Sequence, residues 1–267
     1  MVASLFNRPA KRIRFSHVVA HFVVPLAIVL GAFSASANAW DWGWGKSVSG
    51  SGNIKTENRN VGNFTAISLS LPAIVELRQG ATESLIIETD DNLLALIETV
   101  VEDGKLKLRA AEKYTNFKTK TMKLTVNFKH IEALSVAGSG DFRAEDFKAG
   151  NLKASIAGSG DIRIKSLAAD LLKINIAGSG DFSAGGKANT VEASIAGSGD
   201  IKASRLEAKN IKISIAGSGD AAVWATETIK LSVAGSGDVK YYGDAKVTTS
   251  IAGSGSATRL GATPPAP

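Results

Sequence analysis

The chain has no cysteine, six prolines, three histidines and two methionines among its 267 residues. The missing cysteine excludes disulfides, thiolate chemistry, cysteine metal sites and a lipid-bearing cysteine at a processed N-terminus. Histidine is almost as scarce. His17 and His21 fall in a leader assigned below to processing, which leaves His130, beside Ile131 at a strand junction. Histidine metal clusters therefore lose their ligands, and a nucleophilic serine would lack its base. Long apolar runs are scarce too: the main one, Val23–Ala35, is shorter than a bilayer span requires.

That apolar run has a clear context. Arg8, Lys11, Arg12 and Arg14 precede it with no acid nearby, and Ala37-Asn38-Ala39 follows it. A basic region, a short apolar region and small residues at a cleavage site make a secretory signal peptide over 1–39, cut between Ala39 and Trp40. A retained N-terminal anchor is the alternative. The leader holds four of the 31 Lys+Arg and none of the 25 Asp+Glu, so a net charge near +2 remains after it. The basic balance belongs to targeting, and nucleic acid is not implied as a partner. The expected destination is the periplasm, the surface or the exterior of a bacterium, with no integral membrane segment in the mature chain.

After the leader, residues 40–47 read as a flexible Trp/Gly-rich arm carrying Trp40, Trp42 and Trp44. These three could stack on sugars or lie at a membrane interface. Residues 48–130 read as conventional antiparallel β. "AISLSL", "AIVELRQG" and "SLIIETD" alternate in polarity, and Asp103-Gly104 joins two such runs as a hairpin turn. One helical turn near 91–97 is an added possibility. Trp224 and the Tyr241-Tyr242 pair are expected to pack locally or to cap the last repeats.

Residues 131–255 carry the dominant signal. "AGSG" begins at Ala137, Ala157, Ala177, Ala196, Ala216, Ala234 and Ala252, at intervals of 18 to 20 residues. Such a period marks stacked units rather than a globular α/β domain. Leu152, Ala154 and Ile156 share one face of a strand, and Ile162 and Ile164 share the same side after the corner. Each unit is thus two short strands and two corners, and stacking buries an internal ladder through Ile156, Ile176, Ile195 and Ile215. Parallel pairing of such rungs predicts an all-β fold, a right-handed β-helix preceded by a more antiparallel region. A roll or an antiparallel meander is the competing fold. The last residues, 256–267, read as a disordered Pro-rich tail.

The Gly-Ser-Gly-Asp corner resembles several functional loops and matches none of them. It lacks the third glycine and the following helix of a dinucleotide loop. It lacks the first glycine of a nucleophile elbow. One acid every 18 to 20 residues supplies too few oxygens for a dedicated calcium site, leaving room only for weak cation binding. A stack would align Asp141, Asp161, Asp181, Asp200, Asp220 and Asp238 in a like-charged column. Arg143, Arg163, Lys202 and Lys240 stand two residues later on the same face and offset four of these acids. No catalytic, cofactor or metal residue is assigned. Paired carboxylates cleaving a polysaccharide remain the one enzymatic alternative, set against rungs too uniform to suggest a local active site.

Three segments together resemble the bacterial head GIN domain, a family described as a "putative autotransporter adhesin". They are "GSGNIKTENRNVGNFTAISL", "VELRQGATESLIIETDDNLLALIETVVEDGKLKL" and the "AGSGD" series, within 48–255. The resemblance implies a pectin-lyase-like β-helix without known catalytic residues, in an envelope protein with adhesion as its suggested role. The chain leaves no room for an autotransporter barrel after the repeats. The expectation is therefore a non-catalytic binding module for an envelope or extracellular polysaccharide or protein. A polysaccharide-cleaving enzyme and a purely structural or regulatory envelope factor are the alternatives.

Overall fold

A computed structural model describes residues 46–111 and 114–265. The leader, the Ala39/Trp40 cleavage point and the three arm tryptophans lie outside the described residues. Before the repeats come β1 (Lys46–Ser49), β2 (Ile54–Arg59), β3 (Ala66–Ser70), β4 (Ile74–Gln79), β5 (Ser84–Asp90), α1 (Asp91–Leu94), β6 (Ile97–Glu102), β7 (Lys105–Ala110), β8 (Tyr114–Lys118) and β9 (Met122–Phe128). The repeats form β10 (Ala133–Gly138), β11 (Asp141–Gly158), β12 (Ile162–Gly178), β13 (Phe182–Gly197), β14 (Ile201–Gly217), β15 (Ala221–Gly235), β16 (Val239–Tyr242), β17 (Lys246–Gly253) and β18 (Ala257–Gly261). Among the described residues no helix is long and apolar enough to cross a membrane.

The repeats stack in parallel as a β-solenoid of about six turns. Strands β11 to β15 are long because each bends over one corner without leaving the ladder. In β11 the pairing to β12 steps from Ala149↔Ala169 to Asn151↔Leu171, skipping the corner residue Gly150. Two sheet faces result. The first halves of β11 to β15 stack with β4, β16 and β18, and the second halves stack with β3, β10 and β17. At the other edge the chain crosses between faces through Gly-Ser-Gly.

Alternation decides what lies inside. Leu152, Ala154, Ile156, Ile162 and Ile164 are all at most 2% exposed. Ile156, Ile176, Ile195 and Ile215 are aligned in register, so each rung seals the methyl groups of the rung before it. Each buried isoleucine contributes about 1.5–3 kcal/mol. At the N-terminal end the core thickens into aromatics, where Phe128 and Phe147 pack with ring centroids 5.1 Å apart. One continuous core runs from Phe64 to Val239.

The region before the repeats is mixed rather than simply antiparallel. β5 pairs antiparallel with β2 and β9, and β6 with β7. The β6–β7 hairpin turns at Asp103 (φ 50°) and Gly104 (φ 71°), as the Asp-Gly pair requires. However, β3 and β4 run parallel to β10 and β11, and also to β7 and β9. They are solenoid rungs in their own right, with Leu71-Pro72-Ala73 as the corner. β1 starts at Lys46, inside the span expected as a flexible arm, and pairs with β8. At the far end β18 pairs with β16, so residues 257–261 of the expected tail belong to the last turn. Trp224 and Tyr242 are register partners near that end, as are Val223 and Tyr241.

Candidate functional site

The Gly-Ser-Gly-Asp corners stack into a column, and their chemistry is best followed at one step. Gly158 has φ 124°, a backbone state that side chains resist. A Cβ there would lie 2.6 Å from the carbonyl oxygen of Gly138 on the preceding rung, and one on Gly160 would lie 2.1 Å from that of Gly140. Rung-to-rung contact, not a ligand, demands both glycines. The released space lets the Gly138 carbonyl accept from the N–H groups of both Ser159 (2.8 Å) and Gly160 (2.9 Å). One residue on, the Asp161 N–H donates to the Asp141 Oδ1 at 3.2 Å. The Phe142 N–H then donates to the Asp161 carbonyl at 2.9 Å.

This pattern continues to the end of the stack. Asp161 accepts from the Asp181 N–H (2.7 Å), Asp181 from Asp200 (3.0 Å), Asp200 from Asp220 (3.0 Å) and Asp220 from Asp238 (2.8 Å). Asp238 accepts from the Ser256 N–H (2.9 Å) and from its hydroxyl (2.8 Å). Ser256 stands where the next aspartate would be. Among the described residues no further rung follows to donate to a side chain at this position.

The second carboxylate oxygen meets the bases. Asp141 Oδ2 accepts from Arg143 (3.2 Å) and Arg163 (3.1 Å), and Arg163 also reaches Asp161. Lys202 bridges Asp181 and Asp200, the latter at 3.6 Å, and its hydrogen bond to Asp181 raises the ammonium above its ordinary pKa. Lys240 makes no ion pair among the described residues, and Asp220 and Asp238 have no basic partner there. The like-charged column is thus offset by backbone donors at every step and by bases over its first four members. Among the described residues, no group of three or more His, Cys, Asp or Glu converges on a metal-sized site. His130 is half exposed, with Nε2 3.3 Å from Glu132.

The same motif occurs once more, at Ser49–Asn53, with a different backbone. Here the second glycine, Gly52 (φ 87°), has the positive φ. Its N–H donates to Asp90 Oδ1 at 2.6 Å, and the Thr119 hydroxyl donates to Oδ2. Thr119 first and Gly52 second hold the Asp90 carboxyl below its ordinary value. A Cβ on Gly50 would lie 2.1 Å from the Asp90 carboxylate. Ser51 donates to Asp91 at 2.6 Å, and its N–H to Asn92 at 3.0 Å. The loop is a clip that closes over Asp90-Asp91-Asn92. From the sequence this copy of the motif reads as another strand of the same sheet system or as its edge cap; the signal for its partner is the acidic run at 90–91, which no spacing rule connects to residue 50.

A family model described as "Putative auto-transporter adhesin, head GIN domain" matches residues 63–245. The chain belongs to this family. Among solved structures, this head GIN chain is similar to a "putative adhesin" from Bacteroides fragilis, with 28% identity and a TM-score of 0.75. The match covers 80% of this chain and 100% of that one. A "putative lipid binding protein" from Parabacteroides distasonis shares 27% identity at a TM-score of 0.70, with the same coverage. A "putative adhesin" from Parabacteroides merdae, at 20% identity and a TM-score of 0.63, shares the fold. No curated protein matches.

Proposed function

We propose that this head GIN chain is an exported, non-catalytic binding module of the bacterial envelope, holding a surface polysaccharide or protein on its solenoid faces. One observation carries the reading. The corner motif spends its backbone donors and carboxylates on neighbouring rungs, while two regular, polar sheet faces stand open to solvent. Family membership supports adhesion, as do the Bacteroides fragilis and Parabacteroides distasonis structures, whose descriptions name adhesion and lipid binding. The basic leader and the Ala-Asn-Ala cleavage site support export. Glycan arrays and pull-downs from purified envelope fractions test binding, and retention of the mature chain in the envelope or medium tests export. Absence of binding to both arrays and fractions would sink the reading. Release of cleaved polysaccharide, lost on mutating an acid pair, would replace it with catalysis.

A further inference from the structure

The two faces of the solenoid differ in charge. On the face formed by the first strand-halves every repeat begins with an acid, from Asp141 to Asp238. The opposite face, built from β10, the second halves of β11 to β15, and β17, contains one acid, Glu192. In register along it run Lys153, Lys173, Glu192, Lys212 and Lys230, and β17 adds Lys246. Glu192 is paired to Lys173 at 3.2 Å. Lys153, Lys212, Lys230 and Lys246 are exposed and have no carboxylate partner among the described residues. Two residues along each strand runs a second column, from Ser135 through Ser155, Ser194 and Ser214 to Ser250, with Asn175 as its one amide. Beyond it lies a column of alanines. Between the lysine and serine columns, a shallow depression of about 230 Å³ is lined by Lys173, Glu192 and Lys212 on one side and by Asn175, Ser194 and Ser214 on the other.

We propose that this face binds an acidic polysaccharide, a chain with carboxylate or sulfate groups at regular intervals, lying along the solenoid axis. The proposal rests on the binding reading above and gives it a surface and a ligand class. Unpaired ammonium groups attract an anion without first breaking an internal ion pair. The serine and asparagine column offers donors and acceptors to sugar hydroxyls. Short side chains and alanines keep the surface flat, so an extended polymer can touch successive rungs about 4.8 Å apart. Individually weak contacts then add along one chain. The face carries no aromatic or arginine on which bases would stack, which disfavours single-stranded nucleic acid.

The test is a titration of the whole mature chain with polygalacturonate, neutral dextran and poly-L-glutamate. Wild type is expected to bind polygalacturonate, to bind it less as salt rises, and to ignore dextran. Replacing Lys153, Lys212, Lys230 and Lys246 by Gln is expected to weaken binding by about tenfold or more. The matched control replaces Lys148, Arg205, Lys209 and Lys240 by Gln, cations outside this face that also have no carboxylate partner among the described residues, and is expected to bind within about twofold of wild type. Thermal unfolding of both variants establishes that they fold. Equal loss in the control, or equally tight binding of poly-L-glutamate, would overturn the proposal in favour of bare charge. Binding to envelope fractions that survives the four-lysine variant would overturn it while leaving the adhesion reading intact. No binding to any probe or fraction would overturn both.

Discussion

At the scale of single residues, glycine and aspartate divide the work of the corner. The glycines yield space and the aspartates fill the hydrogen bonds that the turn leaves open. Gly178 is a representative case, with φ 127° and a would-be Cβ 2.4 Å from the Gly158 carbonyl oxygen. Gly178→Ala is expected to cost roughly 3 kcal/mol or more, from backbone strain and displacement of the neighbouring rung. Chemical denaturation would measure it. An Ile195→Ala change should cost about 2–5 kcal/mol by a different route, the cavity left in the apolar ladder. Much of this was legible in the sequence. The inward positions follow from alternation, and the bases at Asp141, Asp161 and Asp200 stand where spacing puts them, whereas Lys240 makes no ion pair with Asp238 among the described residues and Asp181 is met by Lys202 of the next rung. What spacing does not reveal is that each carboxylate accepts the N–H of the next aspartate, because that depends on how far one rung lies from another.

At the scale of elements, the N-terminal clip makes a prediction about pH. The Asp90 carboxyl is held below its ordinary value by Thr119 and Gly52, and Asp91 by Ser51 first and by Lys55. Each native pKa is lower than the unfolded one, so the stabilisation is complete above the ordinary carboxylate pKa. It is lost as pH falls through the lowered native values. Amide exchange in β2 and at Gly52 should therefore speed up in that acid range, and Asp90→Asn should remove part of the dependence. An unchanged profile in the variant would show that Asp90 does not hold the clip. The elements also explain what sequence reading missed. The β3–β4 rung escaped notice because its corner, Leu71-Pro72-Ala73, needs no glycine: in the rung below it, β8 comes between β7 and β9 in the chain, so no Gly-Ser-Gly corner stacks beneath. The converse holds at Ser49–Asn53, where the motif is present but clips an acidic turn. A short motif reports local backbone freedom, and its use depends on what is packed against it.

At the scale of the whole molecule, the solenoid is a scaffold with a graded end and two unlike faces. Ser256 closes the aspartate ladder, while Ile251 (39% exposed) and Leu260 (47%) mark where the core runs out. The second face carries one acid, Glu192, among its lysines while the first carries an acid at the start of every repeat from Asp141 to Asp238, a division invisible in the overall composition and recovered only when the register assigns each residue a side. The central claim is that the Gly-Ser-Gly-Asp column is architecture rather than a cation or ligand site. It is tested most directly by thermal unfolding of wild type, Asp181→Asn and Asp181→Ala, each with calcium and with chelator. Asp181→Ala leaves the Asp200 N–H without its acceptor and Lys202 with Asp200 alone, and should lose about 1–3 kcal/mol. Asp181→Asn keeps the acceptor oxygen and should lose less, with no calcium effect on the Tm of any of the three. A calcium-dependent rise in wild-type Tm that disappears in both variants would contradict the claim and make the column a metal site.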